Sequence, residues 1–360
     1  MRADCRSIFR SISKKFMNMP PKGGAEAKMT AVFMSKRFFN IDSVYSEEVK
    51  EKLRSELTFL EPIQSEKELP ARKAETSRVD FIFSTWGMPA LTREEIREYF
   101  PNLKHVFYAA GTVQAFARPF LELGISVHSA WRANGIPVAE VTVSEILLAN
   151  KGFFQRRVRS REQWHNNDPE YRFPGNYGTR VGILGAGMIG SKVIELLAPY
   201  HLEILVFDPF LSDERAAAMR VKKASLEEIF ESCHVISNHI ANKPETVGLI
   251  SRALLSRMGE AAVFINTGRG AQVDMQALIE EMRAHPARTA LLDVTDPEEP
   301  PQASSELYTL DNVFLTPHIA GSIGYETHRL ADFMYEEYRA VVSGEPQKYA
   351  VTLSMLETMA

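Results

Sequence analysis

Apolar and polar residues alternate along this chain in short blocks whose period keeps switching. From Met29 onward, Thr30-Ala31-Val32-Phe33-Met34, Asp80-Phe81-Ile82-Phe83-Ser84, His105-Val106-Phe107-Tyr108 and Ile125-Ser126-Val127 have the length and side-chain types of buried strands. Polar stretches with helical starts lie between them. Ser46 to Arg54 reads as a helix, and Thr92 followed by Glu95 forms a capping box at the start of another. Alternating strand and helix predicts an α/β fold with a parallel sheet covered on both faces. Pro137 opens a long helical stretch through about Val158, with Val141, Ile146, Leu147, Phe153 and Phe154 apolar. A polar, aromatic loop follows from Arg159 to Gly178, containing Trp164, Tyr171, Phe173 and Tyr177. A loop this long needs a surface to pack on, and a partner subunit is the expected one.

A second α/β series starts at Arg180. Its strands are Val181–Leu184, Ile204–Phe207, Val235–Ser237, Val263–Ile265, Ala290–Val294 and Val313–Leu315, with helices between. Ser225 with Glu228 is a second capping box, and Asp274 caps a helix running to about Ala284. Six strands in this order suit a doubly wound dinucleotide-binding domain. An amphipathic helix from about Thr327 to Val342 closes the series, stopped by Gly344 and Pro346.

Composition narrows the class. The 360 residues exceed what one hydrophobic core usually serves, so two domains are expected. The net charge of -4 shows no basic excess, which argues against a nucleic-acid partner. Two cysteines, Cys5 and Cys233, allow no disulfide framework and fit a reducing, cytoplasmic setting. No apolar run approaches the roughly 18–20 residues that span a bilayer, so no membrane partner is expected. Residues 1–28 are basic and carry Pro20-Pro21 and Gly23-Gly24; they read as a disordered extension, with an organelle-targeting peptide as the alternative.

The sharpest motif is Gly185-Ala186-Gly187-Met188-Ile189-Gly190, directly after the apolar strand Val181–Leu184 and before a helix bearing Val193, Leu196 and Leu197. One glycine makes the tight turn, one lets backbone approach a pyrophosphate, and one lets the helix pack on the strand. The helix N-terminus then offers free N–H groups to the phosphates. Asp208, at the end of the next strand, can accept hydrogen bonds from both adenosine ribose hydroxyls and would repel a 2′-phosphate. No arginine follows at once, so NAD is favoured over NADP.

Three further residues follow strand ends: Arg269 in Asn266-Thr267-Gly268-Arg269-Gly270, Glu298 after Asp293-Val294, and His318 in Thr316-Pro317-His318-Ile319-Ala320-Gly321. Alone, each reads as a surface charge or a structural histidine. Together, at the carboxyl edge of a parallel sheet where ligands bind, they form a catalytic set. Reducing a 2-keto acid needs a hydride at carbon and a proton at oxygen. Arginine grips the carboxylate and polarises the carbonyl; histidine gives the proton near neutral pH; a nearby carboxylate favours imidazolium and fixes the ring. His318 is expected to be protonated when keto acid binds and neutral when hydroxy acid binds.

On these motifs the chain resembles the D-isomer-specific 2-hydroxyacid dehydrogenase family, over about residues 30–345. The resemblance implies two doubly wound parallel-sheet domains, a Rossmann NAD-binding domain inserted in a flavodoxin-like substrate domain. The substrate domain would comprise 29–130 and 319–348, the NAD-binding domain 131–318, with 137–178 as a dimerisation arm and hence a homodimer. It further implies that Asp293 meets the nicotinamide carboxamide and that Met188, Ile189, Thr267, Gly268, Arg269, His318 and Gly321 line the cofactor. Gly111 and Thr112 would bind substrate carboxylate, with Trp86 and Gly87 in a second substrate loop. Three positions depart from the pattern or leave it open. Gly268 replaces the usual alanine, Thr112-Val113-Gln114 lacks a second glycine, and Glu299 sits beside Glu298, although Glu298 fits the family spacing. Trp86, Met88, Phe107 and Tyr108 read equally as an apolar substrate pocket or as core. Two other readings remain: a dehydrogenase of a non-hydroxyacid substrate such as formate or phosphite, and an NAD-sensing, non-enzymatic protein like the co-repressors of this fold.

Overall fold

A computed structural model describes residues 28–37, 39–156, 173–297 and 299–357. Thirteen strands among them form two sheets. The first contains β1 (Thr30–Met34), β2 (Thr58–Phe59), β3 (Val79–Ser84), β4 (His105–Tyr108), β5 (Ser126–Ser129) and β13 (Ala350–Val351), in the order β13-β5-β4-β3-β1-β2. All its pairings are parallel except β13 with β5. The second contains β6 (Tyr177–Leu184), β7 (His201–Phe207), β8 (Lys222–Lys223), β9 (Val235–Asn238), β10 (Val263–Asn266), β11 (Thr289–Leu292) and β12 (Val313–Leu315). Its order is β12-β11-β10-β9-β6-β7-β8, parallel throughout.

Side-chain alternation explains why both faces of each sheet are covered. In the first sheet Ala31, Phe33, Phe81, Phe83 and Phe107 face the closing helix Glu326–Ser343, meeting Leu330, Met334 and Tyr338. Val32, Met34, Ile82, Val106 and Val127 face the opposite side, against Ile96, Phe100 and Phe120. Phe107 is therefore core, and so are Tyr108 and Met88; of the four candidate pocket residues only Trp86, 37% exposed, reaches solvent. The second sheet divides in the same way, with Val181, Ile183, Val263 and Ile265 on one face and Leu205, Ile236, Phe264 and Leu292 on the other. Strands apolar on both faces are what a doubly covered parallel sheet demands.

Several boundaries depart from the sequence reading. The long helix is Trp131–Asn150, so Pro137 lies inside it rather than opening it. The proline removes one backbone bond. Burial of Ala133, Val138, Ala139, Val143 and Ile146 along the same helix carries it through. The aromatic loop falls mostly on residues 157–172, outside the described residues, as do residues 1–27. Three two-residue strands, β2, β8 and β13, were not expected. The last of them carries the first sheet past residue 348, through Val351 and Leu356, both buried in its core.

A buried ionic clasp fixes that closing segment. His128 Nδ1 lies 2.9 Å from Glu337 Oε1, and both side chains are almost wholly buried. Glu337 also accepts from the Lys348 and Tyr349 N–H groups, each at 2.9 Å. Burial alone would push this carboxyl up; the hydrogen bonds from His128 and the two amides outweigh it and hold it below its ordinary value. His105 extends the chain outward, its Nδ1 3.0 Å from His128 Nε2. Burial, and then the charges of His128 and Lys104, push His105 down to about 4.

Breaking the clasp strands a buried group, so Glu337→Ala is expected to cost about 2–4 kcal/mol of stability in urea unfolding. The sign of the pH effect follows from His105. Between its ordinary value of 6.5 and about 4, the unfolded chain binds the proton that the folded chain refuses. Stability therefore falls as pH drops through that window, and His105→Asn should flatten the slope. Equal slopes in the two proteins would remove His105 from the account.

Candidate active site

The phosphate loop follows β6, where the strand order reverses between β6 and β9, the place where open α/β sheets bind ligands. Gly185 has φ +92°, and a Cβ there would lie 2.7 Å from the His239 carbonyl oxygen. A Cβ on Gly190 would lie 2.0 Å from the Gly185 oxygen, so the helix Met188–Leu197 packs against the loop only because Gly190 has none. Gly187 faces open space, with nothing within 4 Å of its Cβ position, and no side chain caps the helix it precedes. Three glycines, a free helix N-terminus and open space above them fit a dinucleotide pyrophosphate. Asp208 reaches this loop: Oδ2 accepts from Ala186 N at 2.6 Å and Oδ1 from Phe210 N at 2.8 Å. The Met188 and Ile189 side chains pack towards Gly135 of the long helix, which leaves their backbone as the part offered to a cofactor. His239, beside the loop, is pushed down to about 4 by burial and brings no charge to it at neutral pH.

Strand register sets out the remaining groups. Asn266 of β10 pairs with Leu292 of β11, which pairs with Leu315 of β12. Arg269 and His318 each emerge three residues beyond those aligned positions. Strands two apart are separated by roughly 10 Å, a gap that an arginine and a histidine can close on one small molecule. Below Arg269 lies a buried amide network. Asn238 Nδ2 donates to Asn266 Oδ1 (3.0 Å) and Gln272 Oε1 (2.6 Å), and Asn266 Nδ2 donates to the Arg269 carbonyl at 3.0 Å. Asn266 Oδ1 accepts from Gly268 N at 3.1 Å. A Cβ on Gly268 would sit 3.1 Å from the Asn238 oxygen, a tight fit that accounts for glycine at this position. Thr267 Oγ1 meets Thr142 Oγ1 of the long helix at 3.1 Å.

Asp293 holds the histidine loop. Its Oδ1 accepts from Thr316 Oγ1 (2.6 Å) and Ile319 N (2.8 Å), and its Oδ2 from Ala320 N (2.9 Å). His318 sits between those donors at φ +55°, a left-handed conformation rare for its type. Its Nδ1 lies 2.8 Å from Glu299 Oε2, and Glu299 Oε1 accepts from Thr295 N at 3.3 Å. Among the described residues, the carboxylate that meets His318 is that of Glu299. Glu298, the residue expected from spacing, lies outside the described residues. Glu145, on the long helix, is pushed up to about 8 by burial, with Asp293 adding to the shift.

The expected substrate loops flank β3 and β4. Gly87 has φ +91°, and its carbonyl accepts from Lys36 N at 2.8 Å; the Trp86 carbonyl accepts from Ser35 Oγ and Asn40 Nδ2, each at 2.9 Å. Ser129 Oγ donates to the Ala110 and Gly111 carbonyls at 3.0 and 2.6 Å, which turns the Gly111-Thr112 backbone out from the sheet. Asn134, which the sequence reading passed over, joins this side to the histidine side. Its Oδ1 accepts from Ser322 N at 3.1 Å, and its Nδ2 lies 3.4 and 3.3 Å from where Cβ atoms on Gly111 and Gly321 would be. Its helix carries several other polar residues, so no local signal marked it out. No cluster of potential metal ligands occurs among the described residues, and none of their helices is long and apolar enough to cross a membrane.

Sequence comparison decides the lineage of this arrangement. A profile described as the D-isomer specific 2-hydroxyacid dehydrogenase NAD binding domain matches residues 143–320. Residues 143–320 are thus similar to the NAD binding domain of the D-isomer specific 2-hydroxyacid dehydrogenases. It is 32% identical over 237 residues to the D-3-phosphoglycerate dehydrogenase of Archaeoglobus fulgidus, covering 65% of this chain and 44% of that one. It is also 32% identical over 232 residues to the D-3-phosphoglycerate dehydrogenase of Bacillus subtilis (strain 168), covering 64% and 43%. The chain thus spans less than half the length of these curated relatives. The structure of a D-2-hydroxyisocaproate dehydrogenase superposes with a TM-score of 0.71 at 19% identity, over 90% of this chain and 100% of that one, a likeness of fold.

The pairing of His318 with Glu299 makes Glu299 a candidate beside Glu298, and substitution ranks the two. In a dehydrogenase assay, Glu299→Gln should lower turnover by roughly 10²–10⁴, the range for disabling a general acid–base pair, while Glu298→Gln stays within about threefold of the parent. The reverse ranking would return the role to Glu298.

Proposed function

We propose that this chain is an NAD-dependent 2-keto acid reductase acting on a small 2-keto or 2-hydroxy acid, with Arg269, Glu299 and His318 as its catalytic residues. The observation that carries the reading is His318, bonded through Nδ1 to Glu299 at 2.8 Å and held in a strained turn by Asp293. With an ionised carboxylate on Nδ1, that nitrogen keeps its proton, and Nε2 is left as the atom that exchanges one with substrate. The side chain is 53% exposed, so Nε2 is open to a ligand.

A nicotinamide cofactor, when bound, would supply the hydride chemistry. Imidazolium His318 gives its Nε2 proton to the carbonyl oxygen as the alcohol forms, and Glu299 stabilises the cation beforehand. In the reverse direction neutral His318 takes the hydroxyl proton. Among the described residues Arg269 has one guanidinium bond, Nη1 to the Gly268 carbonyl at 2.8 Å, and its remaining donors grip the substrate carboxylate. Backbone at Gly111 and Thr112 holds the same carboxylate from the other sheet, with Trp86 and Gly87 beside it. The backbone of Gly185, Gly187, Met188, Ile189 and Gly190 receives the pyrophosphate and Asp208 the ribose. Thr267, Gly268, Asp293 and Gly321 line the nicotinamide end.

We assign the substrate domain to 29–130 and the segment from 319, now extended through 356. The exposed Phe153 and Leu148, with Gly152, Phe154 and Phe314 around a cavity of about 410 Å³, support a homodimer through the end of the long helix. A set of acid, base and carboxylate-binding residues favours catalysis over a sensing role. His318→Ala tests the reading: turnover should fall by roughly 10²–10⁴ while NADH affinity stays nearly intact. Parent-like turnover in that variant would remove His318 as the proton donor.

A further inference from the structure

In the sequence, Asp208 stands alone at the adenosine end of the cofactor site, with no arginine directly after it. Folding brings two cations back to it. Arg215, in the first turn of the helix Asp213–Met219, turns its guanidinium towards the phosphate loop. Its Nη2 donates to the Ala186 carbonyl at 2.7 Å and to Ser191 Oγ at 2.8 Å. Ala186 is also the residue whose N–H goes to Asp208 Oδ2 at 2.6 Å, so the carboxylate and the guanidinium hold one loop residue by its two ends. Both of these Arg215 bonds leave through Nη2. Nε and Nη1 remain as donors on an exposed side chain, next to the carboxylate that would face the ribose.

Lys243 is the second cation. Its Nζ lies 5.7 Å over the ring of Phe210, and Phe210, 85% exposed, is two residues beyond Asp208 and donates its N–H to that carboxylate. The acid nearest Lys243 is Glu245, at 4.0 Å, the outer limit of an ion pair. Asp208, whose oxygens already accept two backbone N–H groups, is thus linked to Arg215 through Ala186 and to Lys243 through Phe210. A phosphate monoester carries about -1.5 to -2 charges at pH 7. A guanidinium fork and a lysine point charge are the groups that offset such a charge beside a carboxylate.

We infer that Arg215 and Lys243 form a receptor for a 2′-phosphate on the adenosine ribose, so that the chain takes NADP(H) as well as NAD(H). Asp208 then weakens binding of the phosphorylated form without excluding it. The inference rests on the dinucleotide reading of the phosphate loop, and it revises the expectation of NAD alone. Arg215 is exposed and Lys243 partly so, so their contribution is screened by salt and fades at high ionic strength.

The test is direct binding, without substrate, of NADH and NADPH to the full chain, followed by nucleotide fluorescence in the parent, Arg215→Ala and Lys243→Gln. The parent should bind NADPH within about tenfold of NADH. Each variant should weaken NADPH by roughly tenfold or more, the loss expected for one charge-assisted bond, and NADH by less than about threefold. Lys243→Gln guards the result, because Lys243 does not brace the loop as Arg215 does. A parent that binds NADH and rejects NADPH by more than about a hundredfold would overturn the inference. So would equal weakening of both nucleotides in Arg215→Ala with no change in Lys243→Gln, which would leave Arg215 a loop brace. If the parent bound neither nucleotide, the dinucleotide reading itself would fall.

Discussion

One buried carboxylate organises the proposed catalytic edge of this molecule. Asp293, 5% exposed, accepts three hydrogen bonds from the loop after β12 while itself following β11. Those bonds hold His318 in a left-handed backbone conformation that costs a non-glycine residue roughly 1–2 kcal/mol. Without them the loop would relax and the imidazole would lose its line to Glu299. The neighbouring loop is pressed in as well. A Cβ on Gly270 would overlap the Thr295 carbonyl, so the Arg269 loop and the loop leading to Glu299 are in contact by necessity. Three loops from three adjacent strands thus become one rigid edge, as a site must be if it is to direct a proton and a carboxylate at once.

The long helix Trp131–Asn150 couples that edge to the first sheet. Gly135 receives Met188 of the phosphate-loop helix, Thr142 meets Thr267, and Asn134 sits between Gly111 and Gly321. One helix therefore touches the proposed pyrophosphate loop, the arginine loop, the histidine loop and the carboxylate-binding backbone. The two small residues beside Asn134 permit it; a side chain on either would press against the amide. The His128–Glu337 clasp acts from the other side, tying β13 and the closing helix to the sheet that carries Gly111.

Most of this was legible in the sequence, for physical reasons that also mark where legibility stops. β1, β4 and β12 fall on the residues read as strands, and the other long strands shift only at their ends, because a doubly buried strand declares itself as an apolar run. β2, β8 and β13 did not, since two residues carry no period. Pro137 read as a helix start because proline favours a first turn; the burial of Ala133 and its neighbours, invisible locally, decided otherwise. The phosphate loop, Asp208, Arg269 and His318 were legible as spacing. The acid was read from spacing as Glu298, which lies outside the described residues, whereas the bond from Glu299 to His318 was not read at all. Asn134 and Arg215 act through contacts made across the fold, at positions where no local pattern singles them out.

The account's central claim is that this edge reduces 2-keto acids. Its most direct test is the loss of NADH absorbance with a panel of glyoxylate, hydroxypyruvate, pyruvate, oxaloacetate, and branched and aromatic keto acids. Turnover with a clear preference for one acid is the expected result. Measurable NADH binding with no reduction of any acid in the panel would contradict it.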